Sequence, residues 1–375
     1  MKIAFICGSM EPGLDGVGDY TRRLAAGLLN KGYDVLIISY KDRNTNTVTE
    51  ERQWVDKRGV DVIRLPQNLK RQERCIALKD FLTKFDPQWI SLQYVPYSYH
   101  KRGIAFSLPS ELQAAFKKAK VHIMFHELWQ GESNESTFKD VILGRLQKSV
   151  SLDLITRLKP RTVTTTNEYY KRCFEKAKIK IDKIPVFSNM PKGDVSGEAI
   201  LSKLPTKVLE EREKYIIAGF FGGFHFHNDI STRLTEFRDK VKRSLGKELL
   251  ILHVGRSGGI ETVFRDISER TEIETCVLGE WPEQDIADLF THIDVGLSNY
   301  PKVLSEKSGS IAALLNNGCP VMILRKGFEH DIRNVSEIKE LIEITDIKTF
   351  IEQVKDFKYA YDVQNIVERY QRIFV

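Results

Sequence analysis

The sequence predicts an α/β protein made of two Rossmann-like, doubly wound domains. Two observations carry this reading. Short apolar runs alternate with longer stretches of helical period along most of the chain. A stretch rich in proline, glycine and mixed charge, residues 188–213, splits that alternation into two series. The length of 375 residues fits two domains at roughly 100–200 residues each.

Residues 2–8, KIAFICG, form an apolar run without alternation, the pattern of a strand buried on both faces. Residues 20–32 place Leu24, Leu28 and Leu29 at helical spacing and stop at Gly32. Residues 33–40, YDVLIISY, are the next buried run. Strand, helix and strand in that order imply a parallel pair joined by a right-handed crossover. Further strands are expected at 60–66, 89–95, 121–127, 162–167 and 182–187, with helices near 71–84, 108–119, 138–158 and 168–176. The second series has strands at 215–223, 248–255, 275–280, 294–300 and 320–324. Its helices fall near 231–245, 260–270, 283–292 and 308–317, and residues 345–374 are helical in period. The domains are therefore 1–190, a linker at 191–213, 214–355, and a closing helix at 356–375. Two such domains are expected to face each other across a cleft. Ligands of open α/β sheets bind beyond the carboxyl ends of the strands, here the loops 8–19, 126–135, 222–230 and 298–309.

Hydrophobic residues make up 42% and charged residues 29%, which is ordinary globular composition. No run approaches the ~20 apolar residues of a membrane span. The apolar N-terminus reads as a first strand rather than a signal peptide. Five scattered cysteines without a C-x-x-C pair point to a reducing, cytoplasmic setting. The net charge of +6 suits anionic small ligands or an anionic membrane surface and is too weak for nucleic acid. Basic stretches at 70–74 and 116–120 are candidates for peripheral membrane contact, though a solvated helix face explains each.

Several loops hold the candidate chemistry. Residues 8–20, GSMEPGLDGVGDY, put Gly8, Gly13, Gly16 and Gly18 between a strand and a helix, where backbone amides can approach an anion. The spacing is not that of a dinucleotide fingerprint, and a flexible loop capped by Asp19 is the plain alternative. His126, Glu127 and Trp129 end one strand, and Gln93 and Tyr94 end its neighbour. Carboxylate, amide and aromatic groups suit carbohydrate hydroxyls, and they also suit loop packing. Residues 220–229 contain Gly222, Gly223 and a His225/His227 pair. No further ligand lies nearby, so no metal is expected. Arg256, in a Gly-Ser-Gly turn, is a candidate phosphate clamp. In residues 305–321, SEKSGSIAALLNNGCPV, Gly318 and Pro320 are helix punctuation. Ser308, Gly309 and Ser310 open the helix with unpaired amides and a positive dipole end. Glu306, beside that anion site, suits sugar hydroxyls. The combination fits a ligand that is both sugar and phosphate.

On these motifs the sequence resembles the retaining glycosyltransferases of GT-B architecture, of the group 1 or family 4 type related to glycogen synthases. The likeness rests on DGVGDYTRRLAAGLLNKGYDVLIIS, TTTNEYYKRCF, CVLGEWPEQDIADLFTHIDVGLSNY and SEKSGSIAALLNNGCPVMI, in that order over nearly the whole chain. Two departures stand out. The second glutamate of the family signature falls on Ala313, and Glu306 matches the first only after a one-residue shift. No lysine follows Gly223 where the family's diphosphate clamp is expected, and the first basic residue there is Arg233.

The resemblance implies transfer of a hexosyl group from a UDP- or GDP-sugar to a saccharide or lipid-linked acceptor, with retention and without a metal or other cofactor. It implies His126 and Glu306 as catalytic residues. The donor is expected on Gly16, Gly18, Gly222, Gly223, Arg256, Glu280, Lys307, Ser308, Gly309 and Ser310. The acceptor is expected near Asp19, Tyr20, Gln93, Tyr94, Glu127 and Trp129. It also implies that the closing helix returns to the N-terminal domain. Competing readings are a nucleotide-sugar 2-epimerase and a non-catalytic sugar-nucleotide-binding protein on the same fold.

Overall fold

The computed structural model describes residues 1–116, 119–133, 136–197, 199–224, 230–325, 341–342 and 361–375. It contains two compact units, Met1–Val186 with Val363–Val375, and Phe187–Asp362.

The first unit is built on eight strands: β1 (Lys2–Cys7), β2 (Asp34–Asp42), β3 (Thr49–Val55), β4 (Arg58–Pro66), β5 (Trp89–Tyr94), β6 (Lys120–Phe125), β7 (Thr162–Thr165) and β8 (Asp182–Lys183). Their order is β3-β4-β2-β1-β5-β6-β7-β8. All pairs are parallel except β3 with β4. The hairpin was not expected, because β3 reads TEERQWV and shows the outside half-exposed pattern of an edge strand. The strand expected at 182–187 shrinks to two residues, since Pro185 has no amide hydrogen to give a ladder. The helices are α1 (Gly16–Asn30), α2 (Arg71–Phe85), α3 (Pro96–Tyr99), α4 (Leu108–Ala115), α5 (Phe138–Leu158) and α6 (Glu168–Lys176). A C-terminal helix, Val363–Ile373, packs in this unit and buries Ile366, Val367 and Tyr370, with Phe374 just beyond it.

The second unit has β9 (Tyr215–Phe221), β10 (Glu248–Val254), β11 (Glu274–Gly279), β12 (Val295–Ser298), β13 (Val321–Ile323) and β14 (Leu341–Ile342), in the order β11-β10-β9-β12-β13-β14, all parallel. Its helices are α7 (Thr206–Glu210), α8 (Ile230–Leu245), α9 (Ile260–Thr271), α10 (Glu283–His292) and α11 (Gly309–Asn316). One face of the sheet packs Ile216, Ala218, Leu249 and Ile251 against Leu234, Phe237 and Phe264. Residues 191–213, read above as a linker, are tied into this unit. The Gly193 amide donates to Asn317 Oδ1 at 2.7 Å, the Asp194 amide donates to Asp288 Oδ1 at 2.7 Å, and Lys192 Nζ donates to the Asn316 carbonyl at 2.6 Å. Most of the tail read as helical from 345 onward lies outside the described residues.

Strand order reverses direction between β1 and β5 in the first sheet, and between β9 and β12 in the second. The loops that leave the carboxyl ends of those four strands are the places where a doubly wound sheet opens for a ligand.

Candidate functional site

In the first unit, α1 starts earlier than its sequence suggests. Asp15, not Asp19, is the N-cap. Its Oδ1 accepts from the Val17 amide at 3.1 Å and the Gly18 amide at 2.8 Å. Gly16 and Gly18 therefore lie in the first helical turn. Gly18 is packed so closely that a Cβ there would sit 2.6 Å from the Ser9 carbonyl oxygen, whereas one on Gly16 would meet nothing within 4 Å. Asp19 pairs with Arg22 and accepts from the Gly13 amide at 3.1 Å, which folds the glycine loop back on the helix.

The loop after β1 is held from below by a buried carboxylate. Asp42 accepts from the Met10 amide at 2.9 Å, from Ser39 Oγ at 2.9 Å and from Arg64 Nε at 2.9 Å. Burial pushes the Asp42 carboxyl up, but these donors, Arg64 first, more than offset it and hold it below the usual carboxylate range.

His126, at the end of β6, is buried. Its Nε2 lies 2.8 Å from Gln93 Oε1, and its ring meets Tyr20 edge-on with centroids 5.0 Å apart. Tyr20 Oη in turn lies 3.3 Å from Tyr370 Oη of the C-terminal helix. His126, Gln93 and Tyr20 are thus one cluster. The other expected acceptor groups lie apart from it. Tyr94 alternates to the opposite sheet face from Gln93 and packs on Tyr99 and Phe125. Trp129 is buried, with Nε1 donating to Glu132 Oε1 at 2.5 Å, Lys148 Nζ 4.9 Å over its ring and Phe174 edge-on at 4.8 Å. Its indole serves packing rather than an open stacking surface. Glu127 is half-buried.

In the second unit, Gly222 follows β9 with φ +78°, a left-handed conformation that favours glycine. Its amide donates to the Val254 carbonyl at 2.9 Å. A Cβ on Gly222 would lie 3.1 Å from Ser310 Oγ, so the turn after β9 touches the first turn of α11. Ser308 is the N-cap of α11, its Oγ accepting from the Ile311 amide at 3.3 Å, so Gly309 and Ser310 are the first two helical residues. Glu306 belongs to a 3-10 turn, Lys302–Lys307, and is 1% exposed, so it is not a solvated loop residue. Lys307 Nζ lies 5.7 Å over the Tyr300 ring. Gly223 has open space around its Cα, and residues 225–229, with His225 and His227, lie outside the described residues. Arg256 and Glu280, both expected on the donor, are exposed and bind each other through two hydrogen bonds of 3.0 and 2.7 Å. Glu280 occupies the Nε and Nη2 edge of that guanidinium, so a phosphate would share it with Glu280 or displace Glu280.

Sequence reading missed two histidines. His253 sits at the end of β10, and its Nε2 lies 2.7 Å from the Gly222 carbonyl oxygen, fixing that peptide from beneath. Among the described residues its buried Nδ1 has no partner, a cost of about 1–3 kcal/mol. Burial pulls its pKa below the ordinary histidine range. His122, inside β6, is fully buried, with Nδ1 2.8 Å from Ser91 Oγ and Nε2 2.8 Å from Thr164 Oγ1. The signal for both was present, since each interrupts an otherwise apolar strand. Among the described residues, no group of three or more His, Cys, Asp or Glu side chains is placed to hold a metal ion, and no helix is long and apolar enough to cross a membrane.

No protein-family model matches the chain, and no curated protein sequence matches it. Solved structures do. The α,α-trehalose-phosphate synthase (UDP-forming) of Burkholderia xenovorans, in complex with glucose-6-phosphate, is similar at a TM-score of 0.58 and 10% identity, over 100% of both chains. HepE of Anabaena, in complex with UDP-glucose, is similar at a TM-score of 0.55 and 14% identity, over 100% of this chain and 98% of that one. The UDP-GlcNAc 2-epimerase of Methanocaldococcus jannaschii is similar at 0.51 and 11% identity, over 100% and 99%. At such identities the likeness shows the fold, two Rossmann-like domains in the GT-B arrangement.

Proposed function

We propose that the protein is a glycosyltransferase that takes a sugar from a nucleotide sugar, UDP-linked by first choice and GDP-linked by second, to a saccharide or lipid-linked acceptor. The observation that carries this reading is the contact of Gly222 with Ser310 at the strand-order reversal of the second sheet, with Glu306 in the turn that leads into the same helix. Gly222 is in a left-handed turn, Ser310 touches that turn, and Glu306 is a buried carboxylate just before the same helix. Amides and a dipole end suit a diphosphate, and a carboxylate suits sugar hydroxyls. Similar structures named for, or solved with, UDP, UDP-glucose and UDP-GlcNAc support uridine as the base.

Gly222, Gly223, Arg256, Glu280, Lys307, Ser308, Gly309 and Ser310 are assigned to the donor, as are Gly16 and Gly18. The acceptor is assigned to the neighbourhood of Asp19, Tyr20 and Gln93; Tyr94 and Trp129, which pack elsewhere, are left out of it. His126 and Glu306 act on the transferred sugar, whose anomeric configuration is retained. Helix ends and side chains in place of a metal neutralise the leaving diphosphate, so transfer should survive EDTA, and rescue of a chelated enzyme by manganese would contradict this. Five free thiols suit a reducing cytoplasm.

A second reading, a non-catalytic nucleotide-sugar-binding protein, is favoured by one observation: the family's second carboxylate is replaced by Ala313, which is wholly buried. Glu306→Gln separates the two readings. For a transferase, turnover falls about ten- to a hundred-fold, because a charge-assisted hydrogen bond is worth about 1.5–3 kcal/mol. Calorimetric affinity for UDP alone stays within about two-fold. Transfer at the wild-type rate by the variant would sink the sugar contact, and no transfer by wild type in the presence of UDP binding would establish the non-catalytic reading.

A further inference from the structure

Five buried side chains on three neighbouring strands form an unbroken line of hydrogen bonds that ends on His126. His126 Nε2 lies 2.8 Å from Gln93 Oε1, and Gln93 Nε2 donates to Ser91 Oγ at 2.8 Å. Ser91 Oγ lies 2.8 Å from His122 Nδ1, and His122 Nε2 lies 2.8 Å from Thr164 Oγ1. Thr164 Oγ1 donates to Met124 Sδ at 2.9 Å. Gln93, Ser91, His122 and Thr164 are each 0% exposed, so water supplies no alternative partner.

Such a line has a direction. An amide oxygen only accepts, so His126 Nε2 carries the hydrogen of that bond. An amide nitrogen only donates, so Ser91 Oγ receives from Gln93 and sends its own hydrogen to His122 Nδ1. His122 is neutral, since burial pushes its pKa down to about 3, and so it carries one hydrogen, on Nε2, which goes to Thr164. The Thr164 hydrogen closes the line on the Met124 sulfur. Reversing His122 alone would give Ser91 Oγ two donors and leave its own hydrogen without an acceptor in the line, a cost that turning the Gln93 amide removes.

We propose that this line sets the tautomer of His126, and that Gln93, Ser91, His122 and Thr164 are positioning residues acting through it. In the neutral ring, a hydrogen on Nε2 leaves Nδ1 as the accepting nitrogen. It is matched to a hydroxyl, which can donate, and mismatched to a phosphate oxygen, which cannot. The tautomer follows from the hydrogen bonds alone. Its use on a sugar hydroxyl rests on the proposed function.

The test is nitrogen-15 NMR of the histidine side chains in the full chain, with the His126 signals assigned by their loss in His126→Gln. Two variants interrupt the line far from His126. His122→Phe keeps an aromatic ring against Tyr370 and Phe374, whose centroids lie 5.5 and 6.0 Å away. It leaves the Ser91 hydrogen free to turn to Gln93. Thr164→Val is nearly the same shape and removes the acceptor of the His122 Nε2 hydrogen. Wild type is expected to show His126 protonated on Nε2, and both variants are expected to move its hydrogen to Nδ1. Wild-type His126 protonated on Nδ1, or a His126 signal unchanged in either variant, would overturn the proposal. Because this readout needs no substrate, it stands or falls separately from sugar transfer. A wild-type Nε2 hydrogen that switches in both variants, in a protein that transfers no sugar, would keep the tautomer line and remove only its role in transfer.

Discussion

His122 shows how a buried polar residue ties stability to pH. Its folded pKa is about 3 against an ordinary value near 6.5, and burial is the main cause. The sign follows from proton counting. Between those two values the unfolded chain binds a proton that the folded chain refuses, so stability falls as pH drops from about 6.5 toward 3. The loss between pH 6 and pH 4 is about 2–3 kcal/mol from this residue. Urea midpoints for wild type and His122→Phe should diverge in their pH dependence over that interval, with the variant the flatter of the two. Parallel curves would mean that His122 takes up a proton in the folded state. The same residue explains a limit of sequence reading. His126 was found because it ends a strand, where function is expected, but its partners Ser91, His122 and Thr164 sit in mid-strand. Their relation exists only across parallel neighbours whose register, Ser91 opposite His122 and His122 opposite Thr162, is a tertiary fact.

At the scale of elements, the buried parallel strands were legible because apolar runs such as KIAFICG and YDVLIISY have only one use in an α/β sheet. The edge strand β3 was not, since its polar residues carry no such mark. Helix starts were legible only approximately. Asp15 and Asp19 are both plausible caps, and the choice depends on Gly18 fitting under the Ser9 carbonyl. That fit makes a prediction. Alanine usually favours a helix over glycine by about 1 kcal/mol. At Gly18 the added methyl would be 2.6 Å from a backbone oxygen, and forcing a side chain into full space costs about 1–3 kcal/mol. The clash should win, lowering Tm by a few degrees in Gly18→Ala, at about 2–4 °C per kcal/mol for a unit of this size. Gly16→Ala, with open space, should leave Tm unchanged or slightly raised. A Gly18→Ala protein as stable as Gly16→Ala would show that the β1–α1 loop relaxes freely, and would weaken the case for a preformed anion loop there.

For the whole molecule, the first unit is discontinuous in sequence, since it takes in Val363–Val375 after the chain has built the second unit. The seam is well filled. Phe374 is fully buried, meeting Trp89 at 5.4 Å, Phe5 at 6.2 Å and Tyr370 at 5.8 Å between ring centroids, and Val367 packs so near Gly27 that a Cβ there would lie 2.5 Å from its Cγ2. Truncating a buried phenylalanine to alanine costs about 3–5 kcal/mol, a large share of the 5–15 kcal/mol that holds a typical domain. Phe374→Ala is therefore expected to destabilise the first unit. Hydrogen exchange localises the effect. Amides of β1, β5 and β6 should exchange about a hundred-fold faster or more, as 3 kcal/mol implies at 1.4 kcal/mol per tenfold. Amides of β9 and β10 should keep their protection, because no residue of 363–375 belongs to the unit they form. Unchanged exchange in β1 and β6 would mean that the tail docks without contributing to stability. Equal acceleration in β9 and β10 would mean that the two units unfold as one.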